Sequence, residues 1–185
     1  MPGQREFGVF LIMTFTILVL FPAISVLLMR NLSLIRSLKM EDKTERIGPL
    51  IAAMIFYIWY FINVKDNASF PVLLSAMSLG GTIAVVFGFF LNNFSKISLH
   101  TIGGGAFLSG VFITCFYQNI PNLVLELPFL GRYSVSIIFV LFLALIVAGL
   151  VGYARLILEA HQERDIYRGY LVGITAQLLG FLIVI

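Results

Sequence analysis

The chain has two histidines, His100 and His161, and each has companions that could share its chemistry. Ser98 lies two residues before His100. Arg155 lies six residues before His161, and Asp165 lies four residues after it. Lys39 and Arg46 add two more cations upstream. These residue types together suit a phosphate monoester. Cations and a hydroxyl can hold the non-bridging oxygens. One histidine can attack phosphorus while an aspartate holds its tautomer and stabilises its positive form. The second histidine can protonate the leaving alkoxide. No metal is needed for this, and no His/Asp/Glu cluster in the apolar runs has credible ligand spacing. A plainer account covers each residue alone. Cations at helix ends snorkel and follow topology rules, and His161 with Asp165 could be a local hydrogen bond on one helix face. The weight of the chemical reading lies in the joint set.

The elements that must carry these residues are membrane helices. Sixty per cent of the 185 residues are hydrophobic, 11% are charged, and the mean hydropathy is +1.03. A soluble domain of this size needs far more polar surface. Crossing the hydrocarbon takes about 20 apolar residues per helix. The apolar runs predict six spans, at about 7–29, 47–64, 70–91, 101–117, 133–153 and 167–185. The expected fold is all-α: a polytopic integral membrane protein built as one six-transmembrane-helix bundle over residues 1–185. The first run is too long for a signal-peptide h-region and lacks a small-residue cleavage site after it, so it is read as a retained span. Pro22 is placed to kink it. Cys115 is alone in an apolar run, which leaves no disulfide framework and no thiolate cluster.

Small residues recur every four positions, at Gly80, Ala84 and Gly88 and again at Gly169 and Gly173. That spacing predicts close helix approach within the chain, with a homo-oligomer left open. Gly103, Gly104 and Gly105 lack a following Lys-Ser/Thr and are read as packing residues, not as a phosphate loop. Segment 32–38 places Leu32, Ile35 and Leu38 beside Arg30, Arg36 and Lys39, which predicts a short helix in the headgroup region. Segment 118–132, with Pro121 and Pro128, is expected to lie in the interface or re-enter.

Six spans place segments 30–46, 92–100 and 154–166 on one side of the membrane. That side holds nine basic residues, Arg168 included, and the other holds Arg5, Lys65 and Arg132. Both histidines fall on the basic side. The positive-inside rule puts that face in the cytoplasm, and it still does so, six against three, after Lys39, Arg46 and Arg155 are set aside as phosphate ligands.

These residues resemble the type 2 phosphatidic acid phosphatase superfamily. Its third motif is Ser-Arg, five residues, His, three residues, Asp; here Ala154-Arg155 is followed at the same spacing by His161 and Asp165. The run 166–173 looks like the final helix of that family. Its second motif, Pro-Ser-Gly-His, is matched by Ile97-Ser98-Leu99-His100, and the string 96–101 resembles a divergent bacterial branch. Its first motif, Lys, six residues, Arg-Pro, is matched by Lys39 and Arg46, with Pro49 three positions beyond Arg46 instead of adjacent. The resemblance covers residues 39 to about 173.

The resemblance implies a metal-independent lipid phosphate phosphatase without a cofactor. His161 would be the nucleophile that forms a phosphohistidine, and Asp165 would orient it. His100 would be the general acid and later the base for water. Lys39, Arg46, Ser98 and Arg155 would bind the phosphoryl oxygens. Leu99 in the glycine position and Ala154 in the serine position imply altered specificity or rate. Partners would be membrane lipids and a lipid phosphate monoester or diphosphate, with no nucleic acid. The location would be the bacterial inner (cytoplasmic) membrane, although relatives in the family commonly place the site on the outer face. A lipid phosphotransferase with the same site and a catalytically degenerate lipid-binding protein are the alternatives. A transporter ranks last, because the charges lie at helix ends and not at the midplane.

Overall fold

In hydrocarbon a backbone must satisfy its own N–H and C=O groups, and a helix does so within one segment. The computed structural model describes residues 4–38, 40, 42–95, 97–119, 121–127 and 131–185. Among them, six helices are long and apolar enough to cross a membrane. The protein is an all-α polytopic integral membrane protein.

The first span is α1 (Gln4–Phe15), a π turn (Thr16–Leu20) and α2 (Phe21–Asn31). Pro22 sits in the first turn of α2 and has no N–H to give. Just before it the ladder widens, and Phe21 N–H reaches back five residues to Thr16 O. The other spans are α3 (Ile47–Lys65), α4 (Val72–Phe94), α5 (Leu99–Tyr117), α6 (Ile137–Ile157) and α7 (Glu163–Val184). Each span overlaps an expected one, and the starts shift most at α6, four residues late at Ile137, and α7, four residues early at Glu163.

One segment differs from expectation and another gains detail. Residues 32–38 form turns and bends, not an interfacial helix. Ser33 takes φ +58°, and Leu34 N–H bonds back to Met29 O at 2.8 Å, which closes α2 and turns the chain away. Of the apolar residues there, Ile35 is buried, while Leu32 and Leu38 are exposed. Segment 118–132, expected in the interface or re-entering, carries most of a hairpin. Strand β1 (Asn122–Leu127) pairs antiparallel with β2 (Gly131–Ser136), with Asn122 opposite Ser136 and Leu127 opposite Gly131. Gly131, at φ +93°, opens β2 in a conformation that a side chain would resist.

The chain divides into two compact units, Met1–Ile97 with Ala176–Ile185, and Ser98–Thr175. In the first unit, Ile17, Tyr60 and Val64 form a buried cluster joined by Phe10, Met13, Phe56 and Phe70. Polar links tie its helices together. The Thr14 and Tyr60 hydroxyls lie 3.0 Å apart, and Thr82 Oγ1 lies 3.2 Å from Tyr57 O. Gly80 lets the last turns of α7 approach; a Cβ there would come within 2.8 Å of Gln177 Cα.

The second unit is held by close backbone contact. A Cβ on Gly173 would strike Ile102 O, and one on Gly105 would strike Tyr170 O. A Cβ on Gly169 would strike the Thr101 hydroxyl and come within 2.8 Å of Ser98 O. The pairing of early with early and later with later positions sets α5 and the start of α7 side by side in the same direction. Helix α6 returns against them, and the Tyr170 hydroxyl donates to Ala148 O. The small-residue reading of Gly169, Gly173, Gly104 and Gly105 as intrachain packing is therefore met. Gly103 has open space around it.

Candidate active site

Three helix ends meet the expected site residues in the second unit: the start of α5, the end of α6 and the start of α7. Ser98 is the N-cap of α5, with φ −83° and ψ 104°. A serine here ordinarily uses its side-chain oxygen to accept an N–H of the first helical turn. Ser98 makes no such bond. Its carbonyl accepts Ile102 N–H at 3.1 Å and the Thr101 hydroxyl at 3.0 Å. Its own hydroxyl is fully buried and has no partner among the described residues. Helix α7 contributes to that burial, since Gly169, one turn beyond Asp165, lies against the Ser98 carbonyl. His100 lies in the first turn of α5 and is exposed.

Arg155 is in the last turn of α6. A cation is favourable there, because the final carbonyls give that end a partial negative charge. That accounts for its placement but not for its packing, since Nε is buried with no partner among the described residues. A buried, unmatched donor costs about 1–3 kcal/mol, more if charged.

The connection from α6 to α7 is only residues 158–162, and it carries His161. Helix α6 closes with Glu159 at φ +50°. Glu159 N–H bonds Leu156 O at 2.9 Å, and Ala160 N–H bonds Arg155 O at 3.2 Å. That pattern is a Schellman closure with glutamate where glycine is usual. His161 is half-buried in this turn, two residues before α7 starts. The local reading that set His161 and Asp165 on one helix face is thereby corrected: His161 is off the helix. Asp165 itself is buried. Its Oδ2 accepts Gln162 N–H at 3.3 Å, and its Oδ1 lies 4.0 Å from Arg164 Nε. The first contact is half of a capping box, which ties down the residue next to His161.

Arg46 belongs to the first unit. It ends a short 3₁₀ turn (Lys43–Arg46), is largely buried, and donates from Nε to Met40 O at 3.0 Å. Asp42 caps that turn by accepting Thr44 N–H at 3.0 Å, and this backbone bond pulls its carboxyl below the ordinary range. Lys39 lies outside the described residues. The structure thus gathers the expected Ser98, His100, Arg155, His161 and Asp165 at adjoining helix ends of one unit, and it places Arg46 in the other.

Tyr170 is a positioning residue that the residue pattern did not single out. Its ring lies against Gly104 and Gly152, and its hydroxyl reaches α6, so it sets the spacing of the helices that end at the site. The pair Ala148 and Gly152, four apart, was the readable sign of that contact. Comparison with protein-family models, with curated proteins and with solved structures finds no match.

Proposed function

We propose that this chain is a membrane phosphatase that hydrolyses a lipid phosphate monoester or diphosphate through a phosphohistidine on His161, without a metal. The observation that carries the reading is the pair of buried polar atoms, Ser98 Oγ and Arg155 Nε. Neither has a partner among the described residues, and both lie at helix ends that also present the histidines. A fold retains such costs where a polar ligand can repay them. Charge-assisted bonds from a guanidinium to phosphate oxygens are among the stronger ones available.

In the first step a His161 imidazole nitrogen bonds to phosphorus as the bond from phosphorus to the lipid oxygen breaks. His100 in its protonated form gives its proton to that oxygen. In the second step neutral His100 takes a proton from water, the water oxygen bonds to phosphorus, and the P–N bond breaks to release phosphate. Arg155 and Ser98 hold the phosphoryl oxygens throughout. Asp165 positions the His161 turn. The resemblance to a bacterial branch supports a bacterial cytoplasmic membrane as the location.

The test is phosphate release from a panel of lipid phosphates by purified protein in chelator, beside His161→Ala. Release by the native chain that vanishes in the variant is the expected result. Release that survives His161→Ala, or that needs added metal, overturns the mechanism. Transfer of phosphate to an added alcohol in preference to water would make the protein a phosphotransferase.

A further inference from the structure

One cavity in the second unit has no part in the chemistry described so far. It is a groove of about 400 Å³ formed by α5, α6 and α7, and the residues named here line it: Leu145, Gly149 and Leu156 on α6, and Ile166 and Ile174 on α7. Its lining is apolar except for tyrosines at its sides and Glu163, the first residue of α7. The volume falls within the range of small-molecule sites.

Length and depth show what fits. At 1.5 Å per residue, the stretch from Leu145 to Leu156 covers about 16 Å, and that from Ile166 to Ile174 about 12 Å. One leaflet of a hydrocarbon core about 30 Å thick is about 15 Å deep. The groove therefore runs one leaflet's depth, from near the middle of α6 to the end where α6 closes and α7 starts. The candidate site lies at that same end: Leu156 adjoins Arg155 in sequence, and Glu163 and Ile166 bracket Asp165.

The groove is not a gap in helix packing. Ala148 and Gly152 are buried and are used by Tyr170, whereas Gly149 is exposed and a Cβ there would meet nothing within 4 Å.

We propose that the groove formed by α5, α6 and α7 holds one hydrocarbon chain of the lipid whose phosphate is cleaved, so that the substrate is bound from within a single leaflet. The headgroup chemistry in this proposal rests on the phosphatase reading; the groove's occupation by a lipid chain does not. Burying methylenes against the protein adds little beyond what the bilayer already provides. The groove's effect is on register: a chain seated in it sets its phosphate at the depth of Arg155 and Ser98.

Gly149→Leu fills the slot without requiring a neighbour to move, and Gly149→Ala is the small control. The first measurement is kcat/KM for a dioleoyl phosphatidic acid and for a water-soluble phosphate monoester, in the full chain. The ratio of the two should fall at least tenfold in Gly149→Leu and less than threefold in Gly149→Ala. An unchanged ratio in Gly149→Leu overturns the proposal. The second measurement is photo-crosslinking in vesicles by a phosphatidic acid with a diazirine at mid-chain, which reads the groove whether or not the protein turns over. Labelling concentrated on residues 145–156 and 163–174, and lost in Gly149→Leu, supports the groove even if no phosphate is released and the phosphatase reading fails. Labelling spread evenly over the exposed helix faces, or protein-to-protein crosslinks through the groove, overturns it.

Discussion

Arg46 and Arg155 show how the two units treat the same side chain. In the first unit, Arg46 Nε is committed to Met40 O at 3.0 Å. In the second, Arg155 Nε is buried and uncommitted among the described residues. The hydroxyls follow the same division. Thr82 and Tyr60 link helices of the first unit, while Ser98 holds a capping position without capping. In the first unit polar links join glycine contacts such as that of Gly80, and Asn92 Oδ1 and Gln177 Nε2 are also buried without a partner among the described residues. In the second, glycine contacts hold α5 to α7, and the atoms left without a partner, Ser98 Oγ and Arg155 Nε, lie at helix ends.

The sharpest way to break this contrast is catalytic. His161→Ala should lower phosphate release by roughly 10²–10⁴-fold or more, the range for removing a proton-transfer or nucleophilic group. Thr82→Ala, in the first unit, should change release little and lower the unfolding midpoint. A His161→Ala protein that keeps its activity would remove the second unit's claim to chemistry.

The next effect tests the packing half of the contrast. Gly173→Leu would drive a side chain into the α5 backbone and should destabilise the fold by about 1–3 kcal/mol or more, read by thermal unfolding in detergent. Gly149→Leu, on the open side of α6, should shift the midpoint far less. Equal shifts would show that glycine contact does not hold the second unit.

The two arginines should respond with opposite signs. Arg46→Met leaves the part-buried Met40 carbonyl without its donor and should cost about 1 kcal/mol. Arg155→Met removes an uncommitted buried donor and should be neutral or stabilising while phosphate release falls. Destabilisation by both would mean that Arg155 is structural.

A smaller effect lies in the turn that carries His161. Glu159→Gly relieves a left-handed residue and should stabilise by up to about 1 kcal/mol. The smallest is the pH response of Asp42. Its carboxyl is held below the ordinary range by the Thr44 N–H. The stability it contributes is therefore present above the ordinary carboxylate pKa of about 3.9 and is lost as pH falls through its folded value. The advantage of the native chain over Asp42→Ala should shrink as unfolding is measured from pH 7 down to pH 3.

Much of the scaffold was legible because its causes are local. Apolar runs of the length of a bilayer must be helices, and glycines four apart must meet something. What escaped depended on partners distant in the chain. The run 122–127 is apolar enough to suggest an interfacial loop, and only its pairing with 131–136 makes it a strand. The spacing of His161 and Asp165 suggested a helix face, and the Schellman closure of α6 with the start of α7 at Glu163 left His161 in the turn between them.

The amino-acid sequence by itself determined that this is a six-span membrane protein and which side chains are the candidates for phosphate chemistry, because hydrophobic length and side-chain chemistry belong to each segment alone. The tertiary structure decided which of those side chains are left without partners and where a slot one leaflet deep is left open. Burial of Ser98 by Gly169 and spacing of α6 by Tyr170 are contacts between residues about 20 to 70 positions apart. Only the packing of α5, α6 and α7 sets them.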